Sequence, residues 1–513
     1  MGLSLFLKRA VQHRPKHLAL VFGNRRYTWS QYHKRVKKAA GALVAEGFQN
    51  DDRIAILMAN SDYYCEAMMA APWAGGAPVP LNTRLNITEV ADSLDDSEAK
   101  FLMVDDLCAE TGLKLAAERK GRLKLIFAGE GQCPDGSISY QSAVESAEEI
   151  DDAGRTGDDL AFILYTGGTT GRSKGVMHSH GSAMVWPLYM MAEGMHCENA
   201  TYLSCMPIFH IGGAWPLYGC IASGATTVML PSFDAGAVLS AIESEKATEI
   251  LLVPTMIQRV LEDPAFKTTN TTSLRRITYG ASPITEALLD QATSALPQTE
   301  FVQIYGMTEV GVITVLHDQQ LHGRGRELGR HRSAGRTTFV CEMRVVDEND
   351  APVSQGTVGE IVVRGPNVMQ GYWKRPEETA KALKGGWMHT GDGGYFDEEG
   401  YYFFVDRVKD MIISGGENIY SVEVENIISQ HPAVQSCAVI GIPHDEWIET
   451  VHAVVVLYEG KVVKEQEIIE YCRARIARYK CPRSVDIRST PLPLSAAGKV
   501  LKRELRKEFL EKT

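Results

Sequence analysis

The chain has 513 residues, of which 44% are hydrophobic and 23% are charged, close to an ordinary globular protein. At about 150 residues per domain this length suggests two to four domains, and the composition excludes a mostly disordered chain, a collagen and a coiled coil. The formal charge of −11 argues against a nucleic-acid-binding protein, because a phosphate backbone requires a basic surface.

The charge is unevenly distributed along the chain. Residues 406–513 carry 16 basic and 16 acidic side chains, so the whole acidic excess lies in residues 1–405. This difference predicts two domains with different partners.

Nothing in the sequence predicts export or insertion into a membrane. The N-terminal apolar stretch is too short for a signal peptide, and no apolar run approaches about 18 residues. Ten cysteines occur without a C-x-x-C pattern, which favours free buried thiols. We therefore expect a cytoplasmic protein without a transmembrane segment, either a monomer or a homodimer.

Strand and helix patterns alternate through the first part of the chain. The predicted strands are 53–58, 76–80, 226–230 and 249–253, and the predicted helices are 62–74 and 235–244. Strands that alternate with helices favour a parallel, doubly wound sheet.

The pattern changes after about residue 340. Strands at 343–346, 359–364 and 401–405 are joined by turn-rich segments, and a mixed helix-and-strand unit follows Lys409. Its helices are predicted at 420–430, 464–476 and 501–510 and its strands at 434–440 and 450–458. This unit has the length of a small α+β domain. We place domains at 1–405 and 411–513, with the boundary at 406–410.

The strongest local motif is the loop Tyr165-Thr-Gly-Gly-Thr-Thr-Gly-Arg-Ser-Lys-Gly175, which follows the apolar strand 160–164. Glycines let backbone N–H groups turn inward and hydroxyl groups add donors, so such a loop can hold a polyphosphate. It is not a Walker A loop, because Lys174 precedes a glycine. A flexible surface hairpin is the alternative, but the preceding strand and the many hydroxyl groups favour phosphate binding.

Seven further motifs follow this loop along the chain. They are Pro207-Ile-Phe-His-Ile-Gly-Gly213, Tyr279-Gly-Ala-Ser-Pro283, Tyr305-Gly-Met-Thr-Glu309, Trp387-Met-His-Thr-Gly-Asp392, Val405-Asp-Arg-Val-Lys-Asp410, Ile413-Ser-Gly-Gly-Glu-Asn418 and Pro493-Leu-Ser-Ala-Ala-Gly-Lys499. In this order they resemble the adenylate-forming enzymes, the superfamily of acyl-CoA synthetases, stand-alone adenylation domains and firefly luciferase. The resemblance covers essentially the whole chain. It implies an α/β fold: a large N-terminal domain of doubly wound sheets with a β-barrel-like subdomain, followed by a small mobile α+β C-terminal domain.

The resemblance implies an ATP-dependent acid–CoA ligase. A carboxylate is a poor acyl donor, so it first attacks the α-phosphate of ATP and gives an acyl-AMP and pyrophosphate. The thiol of coenzyme A then displaces AMP and gives the acyl-CoA. The expected ligands are ATP, Mg²⁺, coenzyme A as co-substrate and a small carboxylic acid.

Four residues are expected to act in the chemistry by this resemblance. Lys499 would neutralise charge between the carboxylate and the α-phosphate. Glu309 would bind Mg²⁺, and Thr166 would be a second contact to phosphate or metal. His210 resembles the gate beside the acid pocket, where a neutral imidazole could contact the carboxylate; a satisfied buried histidine is the alternative.

The other nucleotide contacts follow from the same resemblance. Asp392 and Arg407 resemble the pair that binds the ribose hydroxyls, Thr308 touches the α-phosphate, and Tyr305 lies against the adenine. Ser282 belongs to the adenine-side loop or only caps a helix that starts at Pro283. The expected ATP-binding residues are Thr166, Gly167, Gly168, Thr169, Thr170, Gly171, Lys174, Gly280, Ala281, Ser282, Tyr305, Gly306, Met307, Thr308, Asp392, Arg407 and Lys499.

Lys409 occupies the hinge position of the family, about which the C-terminal domain rotates between the two half-reactions. The rotation presents Lys499 first, and then Gly415, Gly416 and Glu417 on the coenzyme A side.

The expected acid pocket consists of His210, Trp215, Gly280, Gly306, Met307 and Val312, with Trp186, Tyr189 and Tyr218 as further candidates. These residues fit a fatty acyl chain or an arylalkanoic acid, and we predict a medium- or long-chain fatty acid. The alternatives are an arylalkanoic or hydroxycinnamic acid, an adenylating enzyme that loads a separate carrier protein, a luciferase-like monooxygenase and an inactive relative. His178 and His180 are interpreted as solvated loop histidines.

Overall fold

Strands and helices alternate along most of the chain. A computed structural model describes residues 1–166, 173–407, 410–414, 417–444, 447–495 and 500–512, with the backbone alone for residues 406, 407, 417, 418 and 512. The strands are β1 (Leu18–Phe22), β2 (Arg25–Thr28), β3 (Arg53–Leu57), β4 (Ala77–Pro80), β5 (Phe101–Val104), β6 (Lys124–Phe127), β7 (Ile138–Ser139), β8 (Leu160–Thr166), β9 (Lys174–Ser179), β10 (Thr201–Ser204), β11 (Thr226–Met229), β12 (Glu249–Leu252), β13 (Arg276–Gly280), β14 (Glu300–Met307), β15 (Gly311–Leu316), β16 (Arg336–Thr337), β17 (Glu342–Val346), β18 (Gly359–Arg364), β19 (Gly371–Tyr372), β20 (Met388–Phe396), β21 (Tyr402–Arg407), β22 (Ile412–Ser414), β23 (Glu417–Ile419), β24 (Val434–His444), β25 (Ile448–Leu457) and β26 (Ser484–Arg488).

The helices connect these strands. They are α1 (Ser4–His13), α2 (Trp29–Ala45), α3 (Asp62–Trp73), α4 (Ile87–Ser97), α5 (Ala109–Glu118), α6 (Tyr140–Ser146), α7 (His180–Ala192), α8 (Ile211–Ser223), α9 (Ala235–Glu245), α10 (Pro254–Glu262), α11 (Glu286–Ala295), α12 (Gly323–Glu327), α13 (Pro376–Ala382), α14 (Ser421–Ser429), α15 (Glu465–Arg473) and α16 (Lys502–Lys512). Several start at a polar cap; Ser179 caps α7 by accepting a hydrogen bond from the Ser182 amide.

Two sheets with parallel interiors form the N-terminal part. The larger has the strand order β16-β15-β14-β13-β12-β10-β11-β1-β2, with parallel pairs from β1 through to β14 and antiparallel pairs at its edges. The second, β4-β3-β5-β6-β7, is parallel throughout. Strands β5 and β12 are buried along their whole length, as expected where helices cover both faces. The predicted doubly wound sheets are confirmed.

Antiparallel strands form the barrel-like part. The sheets β17-β18-β20-β21 and β19-β9-β8 share one apolar core that includes Val176, Val310, Ile313, Ile361 and Tyr372. This core lies against the segment that joins β14 to β15, and so it supports that segment from one side.

The C-terminal part has a sheet of its own, ordered β23-β22-β25-β24 with β26 beside β25. Alternate residues of β24 face different cores. Val439 packs with α14 and α15, whereas Ala438 and Ile440 pack with Leu505 of α16. The predicted small α+β domain is confirmed, and its strands all begin after residue 411. The boundary at 406–410 stays a prediction.

In the described ranges, no helix combines the length and apolar character required to cross a membrane. All ten cysteines are free thiols, as expected, but the expected burial holds for only six of them. Cys133, Cys341 and Cys437 are half-buried, and Cys197 is exposed.

Candidate active site

A large cleft opens at the carboxyl ends of parallel strands in the nine-stranded sheet. Its walls include Met206 and His210 after β10, Pro254 after β12, Gly280 at the end of β13 and Met307 at the end of β14. The carboxyl edge of a parallel sheet is where ligands bind in open α/β folds, because the strand ends and the following loops converge there. Across the cleft lie residues of the C-terminal part, including Glu425, Val434 and Leu457.

The structure brings many of the predicted site residues together along this cleft. Those that line it are Thr166, Lys174, His210, Trp215, Gly280, Ala281, Ser282, Tyr305, Gly306, Met307, Thr308, Glu309, Val312 and Asp392.

Other predicted residues lie outside the described ranges. These are Gly167, Gly168, Thr169, Thr170 and Gly171 of the phosphate loop, Lys409 at the hinge, Gly415 and Gly416 on the coenzyme A side, and Lys499. Glu417 begins β23 and Arg407 ends β21, and their side chains are not described.

Tyr305 and Asp392 form the most direct link between two motifs. The Tyr305 hydroxyl donates a hydrogen bond of 2.7 Å to Oδ2 of Asp392, and the Asp392 side chain is almost fully buried. The backbone of Asp392 pairs with that of Arg407 across β20 and β21. The sheet therefore places the two residues of the predicted ribose pair side by side.

Tyr372 joins the phosphate-loop strand to Glu309. Its hydroxyl donates a hydrogen bond of 2.8 Å to Oε1 of Glu309, and the ammonium of Lys174 lies 4.9 Å from its ring centroid. Burial and the neighbouring carboxylate both raise the pKa of Tyr372, with burial the larger cause. The phenol therefore stays protonated and can act only as a donor toward Glu309.

Strands β8 and β9 carry the two ends of the phosphate loop. Thr166 pairs with Lys174 in register, and the Thr166 hydroxyl lies 3.5 Å from the Lys174 carbonyl oxygen. Both side chains are half-buried and line the cleft.

The adenine-side loop has two backbone constraints. A Cβ on Gly280 would lie 2.2 Å from the carbonyl oxygen of Ile304, so β13 can approach β14 here only with glycine. Ala281 has a φ of 67°, a left-handed conformation that costs energy for a residue with a Cβ. Helix α11 begins at Glu286 with Thr285 as its cap, so the alternative that Ser282 caps a helix starting at Pro283 is wrong.

On the acid side, His210 is the N-cap of α8. Its Nδ1 accepts a hydrogen bond of 3.2 Å from the amide of Gly212, so this nitrogen carries no proton in that arrangement, and the half-buried ring faces the cleft. Trp215, one turn later on α8, also lines it.

The further pocket candidates Trp186, Tyr189 and Tyr218 do not line the cleft. Each is at most 2% exposed, and Trp186 and Tyr218 pack against Phe162 in the core. Their aromatic rings belong to the core of the N-terminal part.

Three residues that sequence reasoning missed or misread lie next to the cleft. Tyr372 contacts Glu309, Asn367 donates to the Val310 carbonyl, and His178 bonds the Thr308 carbonyl. The interpretation of His178 and His180 as solvated is wrong, because both are at most 1% exposed. Burial lowers the pKa of each to about 4. Only the apolar residues that precede His178, Val176 and Met177, could have indicated its burial.

Glu309 and Thr166 supply carboxylate and hydroxyl oxygens, the donors that Mg²⁺ prefers. In the described part of the chain, no group of three or more His, Cys, Asp or Glu residues could hold a metal ion by itself. The donors present therefore fit an ion that takes most of its ligands from nucleotide phosphates and water.

Comparisons with known proteins agree with this geometry. The sequence matches the family described as AMP-binding enzyme over residues 7–373 and its C-terminal domain over residues 423–499. It is 38% identical to a feruloyl-CoA synthase of Amycolatopsis sp over 510 residues, 99% of each chain.

It is also 33% identical to a long-chain-fatty-acid–CoA ligase of Mycobacterium tuberculosis over 500 residues, which cover 94% of this chain and 93% of that protein. Among solved structures, the ATP-bound MatB of Rhodopseudomonas palustris superposes with a TM-score of 0.89 at 30% identity, with 99% of both chains covered.

Proposed function

Because this chain belongs to the AMP-binding enzymes and is an AMP-forming acid–CoA ligase, we propose that it activates an aryl-substituted carboxylic acid in the cleft described above. The observation that carries the proposal is the convergence of His210, Glu309 and Asp392, from three different motifs, on one cleft at the carboxyl edge of the nine-stranded sheet.

The reaction proceeds in two balanced steps. A carboxylate oxygen attacks the α-phosphorus of ATP and pyrophosphate leaves, which gives the acyl-AMP. The sulfur of coenzyme A then attacks the acyl carbon, loses its proton, and AMP leaves with the acyl C–O electron pair. Fixed donors and cations around both anions lower the first barrier, because they are already oriented when the charges meet.

In this proposal ATP lies in the part of the cleft between the end of β13 and β20. Asp392 accepts from the ribose hydroxyls together with Arg407, the loop at Gly280 faces the adenine, and Thr308 contacts the α-phosphate. Lys174 faces the phosphates from β9. Glu309 and Thr166 hold Mg²⁺, which supplies charge neutralisation at the phosphates when bound.

Tyr305 was expected only to lie against the adenine, and its contacts suggest a second role. Its hydroxyl is committed to Asp392 and its ring packs against Phe404 at a centroid distance of 4.5 Å. We propose that it positions the ribose-binding carboxylate and presents a ring edge to the adenine.

The C-terminal part contributes to each step in turn. Lys499 acts in adenylation, and rotation about Lys409 then brings Gly415, Gly416 and Glu417 to the pantetheine arm of coenzyme A. The cleft between the two parts supports this, because residues of both line it. Pyrophosphate must leave before the thiol enters, and a hinge separates these events in time.

An aryl acid of hydroxycinnamic size fits the acid side. Phe209 and Trp215 supply aromatic walls, while Gly280 and Gly306 supply backbone walls without side chains. A planar ring stacks well in such a slot. Because Trp186, Tyr189 and Tyr218 are buried in the core and do not line the cleft, we favour a compact acid over a long chain. The feruloyl-CoA synthase relative supports the same choice.

A medium- or long-chain fatty acid is the second candidate. Met206, Leu251 and Val312 add apolar surface to the same wall, and a relative with 33% identity is a long-chain-fatty-acid–CoA ligase.

A substrate panel separates these candidates. We would measure kcat/KM for ferulate, 4-coumarate, 3-phenylpropanoate, octanoate and palmitate, with acyl-CoA and AMP quantified with and without coenzyme A. A higher kcat/KM for palmitate than for every aryl acid would replace the first candidate with the second. Acyl-AMP turnover that coenzyme A does not accelerate would instead favour transfer to a carrier protein.

The role of Lys499 is tested by measuring the half-reactions separately. Lys499→Ala should abolish acyl-AMP formation, while thioester formation from supplied acyl-AMP continues. Lys502→Ala is a matched control, because Lys502 is already paired with Glu425 at 2.8 Å. Equal loss of both half-reactions in Lys499→Ala would contradict the assignment.

A further inference from the structure

The segment from Thr308 to Val312 is held from its buried side by three side chains. His178 Nε2 donates to the Thr308 carbonyl at 2.7 Å, Asn367 Nδ2 donates to the Val310 carbonyl at 2.7 Å, and the Tyr189 hydroxyl accepts from the Val312 amide at 2.9 Å. They come from β9, from the turn before β19 and from α7. Thr308 and Glu309 lie at one end of this segment, and both line the cleft.

His178 is the contact next to the reacting groups, and its tautomer follows from its partners. A carbonyl oxygen can only accept, so Nε2 must carry a proton and donate to Thr308. The other ring nitrogen, Nδ1, lies 3.2 Å from the Ser182 hydroxyl. Because burial lowers the pKa of His178 to about 4, the ring is neutral near pH 7 and Nδ1 can accept from that hydroxyl.

Packing prevents the ring from turning away. The His178 ring meets Trp186 edge to face, with centroids 4.5 Å apart, and lies 5.4 Å from the Phe162 ring. Its side chain has no exposed surface. A buried, close-packed donor of this kind fixes the position of the carbonyl that it binds.

We propose that His178 is a positioning residue for adenylation: by holding the Thr308 carbonyl, it fixes where the Thr308 hydroxyl and the Glu309 carboxylate enter the cleft. This inference rests on the proposed function, because it requires that Thr308 and Glu309 meet ATP and its metal. His178 itself faces the core and contacts neither ATP nor the metal ion.

The carbonyl and both side chains belong to adjacent residues, so a shift of the peptide moves all of them together. Displacing a reacting arrangement by about 1 Å can cost on the order of a hundredfold in rate. The two other contacts, at Val310 and Val312, cannot replace His178, because they hold the far end of the segment.

The test compares two substitutions at this position. His178→Leu removes the donor while the site stays apolar, whereas the amide of His178→Gln can still donate to Thr308. We expect His178→Leu to raise the KM for ATP and slow acyl-AMP formation by about tenfold or more. His178→Gln should restore most of both, and the KM values for acid and coenzyme A should change little in either.

His180→Leu is the matched control, since His180 is buried two residues away, and its Nδ1 accepts from the Leu3 amide rather than contacting the cleft. Its KM for ATP should match that of the unaltered protein. Thermal unfolding of each variant, together with an unchanged KM for coenzyme A, shows that His178→Leu is folded.

Two results would overturn the inference: a KM for ATP in His178→Leu like that of the control, or no better activity in His178→Gln than in His178→Leu. Thr308→Val, measured in parallel, separates this from failure of the proposed function. An unchanged KM for ATP in Thr308→Val would mean that the Thr308 hydroxyl does not contact ATP, which would contradict that part of the proposed function. A raised KM for ATP in Thr308→Val, together with an unchanged KM in His178→Leu, would support the ATP contact of Thr308 and contradict only the positioning role of His178.

Discussion

The hydroxyl of Tyr305 donates a hydrogen bond of 2.7 Å to Oδ2 of Asp392, a residue 87 positions later in the chain. Tyr305 stands near the end of β14 in the large mixed sheet, and Asp392 stands in β20 of an antiparallel sheet. The bond therefore ties two sheets together at the point where we propose that the ribose binds.

Tyr305→Phe should weaken ATP binding. A hydrogen bond to a buried charged group is worth about 1.5–3 kcal/mol, so we expect the KM for ATP to rise by about tenfold or more. The KM for the acid should stay within about twofold. Steady-state kinetics with each substrate varied in turn measures both.

Tyr279→Phe is the control for this substitution. Tyr279 is also buried, but its hydroxyl has no hydrogen-bond partner among the described residues. Equal KM values for ATP in the two variants would show that the bond to Asp392 has no role in ATP binding.

Tyr372→Phe should change the dependence of adenylation on Mg²⁺. Without the donor at 2.8 Å, Oε1 of Glu309 loses a partner that fixes the carboxylate, and orienting partners of metal ligands typically affect metal affinity by about 10–100-fold. We expect a higher Mg²⁺ concentration at half-maximal acyl-AMP formation. Titration of Mg²⁺ at saturating ATP measures it.

Tyr402→Phe is a suitable comparison, because Tyr402 belongs to the same core and donates to the Met343 carbonyl at 3.1 Å. If both variants show the same Mg²⁺ dependence as the unaltered protein, Glu309 is not positioned by Tyr372.

Gly280→Ala should damage both stability and activity. The new Cβ would lie 2.2 Å from the Ile304 carbonyl oxygen, which is backbone and cannot rotate away. Parting β13 from β14 costs about 1–3 kcal/mol and shifts the adenine-side loop. We expect a lower Tm and at least about a tenfold loss in kcat/KM for ATP.

Gly236→Ala provides the contrast, because a Cβ at Gly236 meets its neighbours only at 3.5 Å or more and alanine favours helix α9. A Gly280→Ala variant as stable and active as Gly236→Ala would mean that β13 and β14 separate without cost.

Buried histidines should make the protein less stable in mild acid. Burial lowers the pKa of His178 and His180 to about 4 and that of His196 to about 3, whereas an unfolded histidine titrates near pH 6.5. Below pH 6.5 the unfolded chain therefore binds more protons than the folded chain, so the free energy of unfolding decreases as the pH is lowered. At pH 5 each histidine accounts for up to about 2 kcal/mol.

The measurement is Tm between pH 7.5 and pH 5, with His180→Gln and His17→Gln compared. His180→Gln removes one buried titrating group and should flatten the pH dependence, whereas His17 is exposed and its substitution should not. Identical slopes for the two variants would contradict the prediction.

The local sequence pattern was sufficient to predict the helices and strands and the order of the motifs. The predicted helix 62–74 is observed as Asp62–Trp73, and the predicted helix 420–430 as Ser421–Ser429, because apolar periodicity and caps act within a few residues. The last predicted helix, 501–510, is observed as Lys502–Lys512.

Contacts between distant segments could not be predicted in this way. Tyr372 reaches Glu309 across 63 positions, and His178 reaches Thr308 across 130. No fixed spacing in the sequence indicates either contact, since both depend on how β9, β14 and β19 come together. The same lack of tertiary information led to the misreading of His178 and His180 as solvated.

The sequence by itself determined the fold class, the family and the residue types available for chemistry, because these depend on local periodicity and on motifs with fixed internal spacing. The tertiary structure alone decided which of those residues meet at the carboxyl edge of the sheet, which aromatic rings are interior, and which buried side chains hold the Thr308–Val312 segment. Burial and hydrogen bonding are properties of packed surfaces, and a packed surface exists only once distant parts of the chain are folded together.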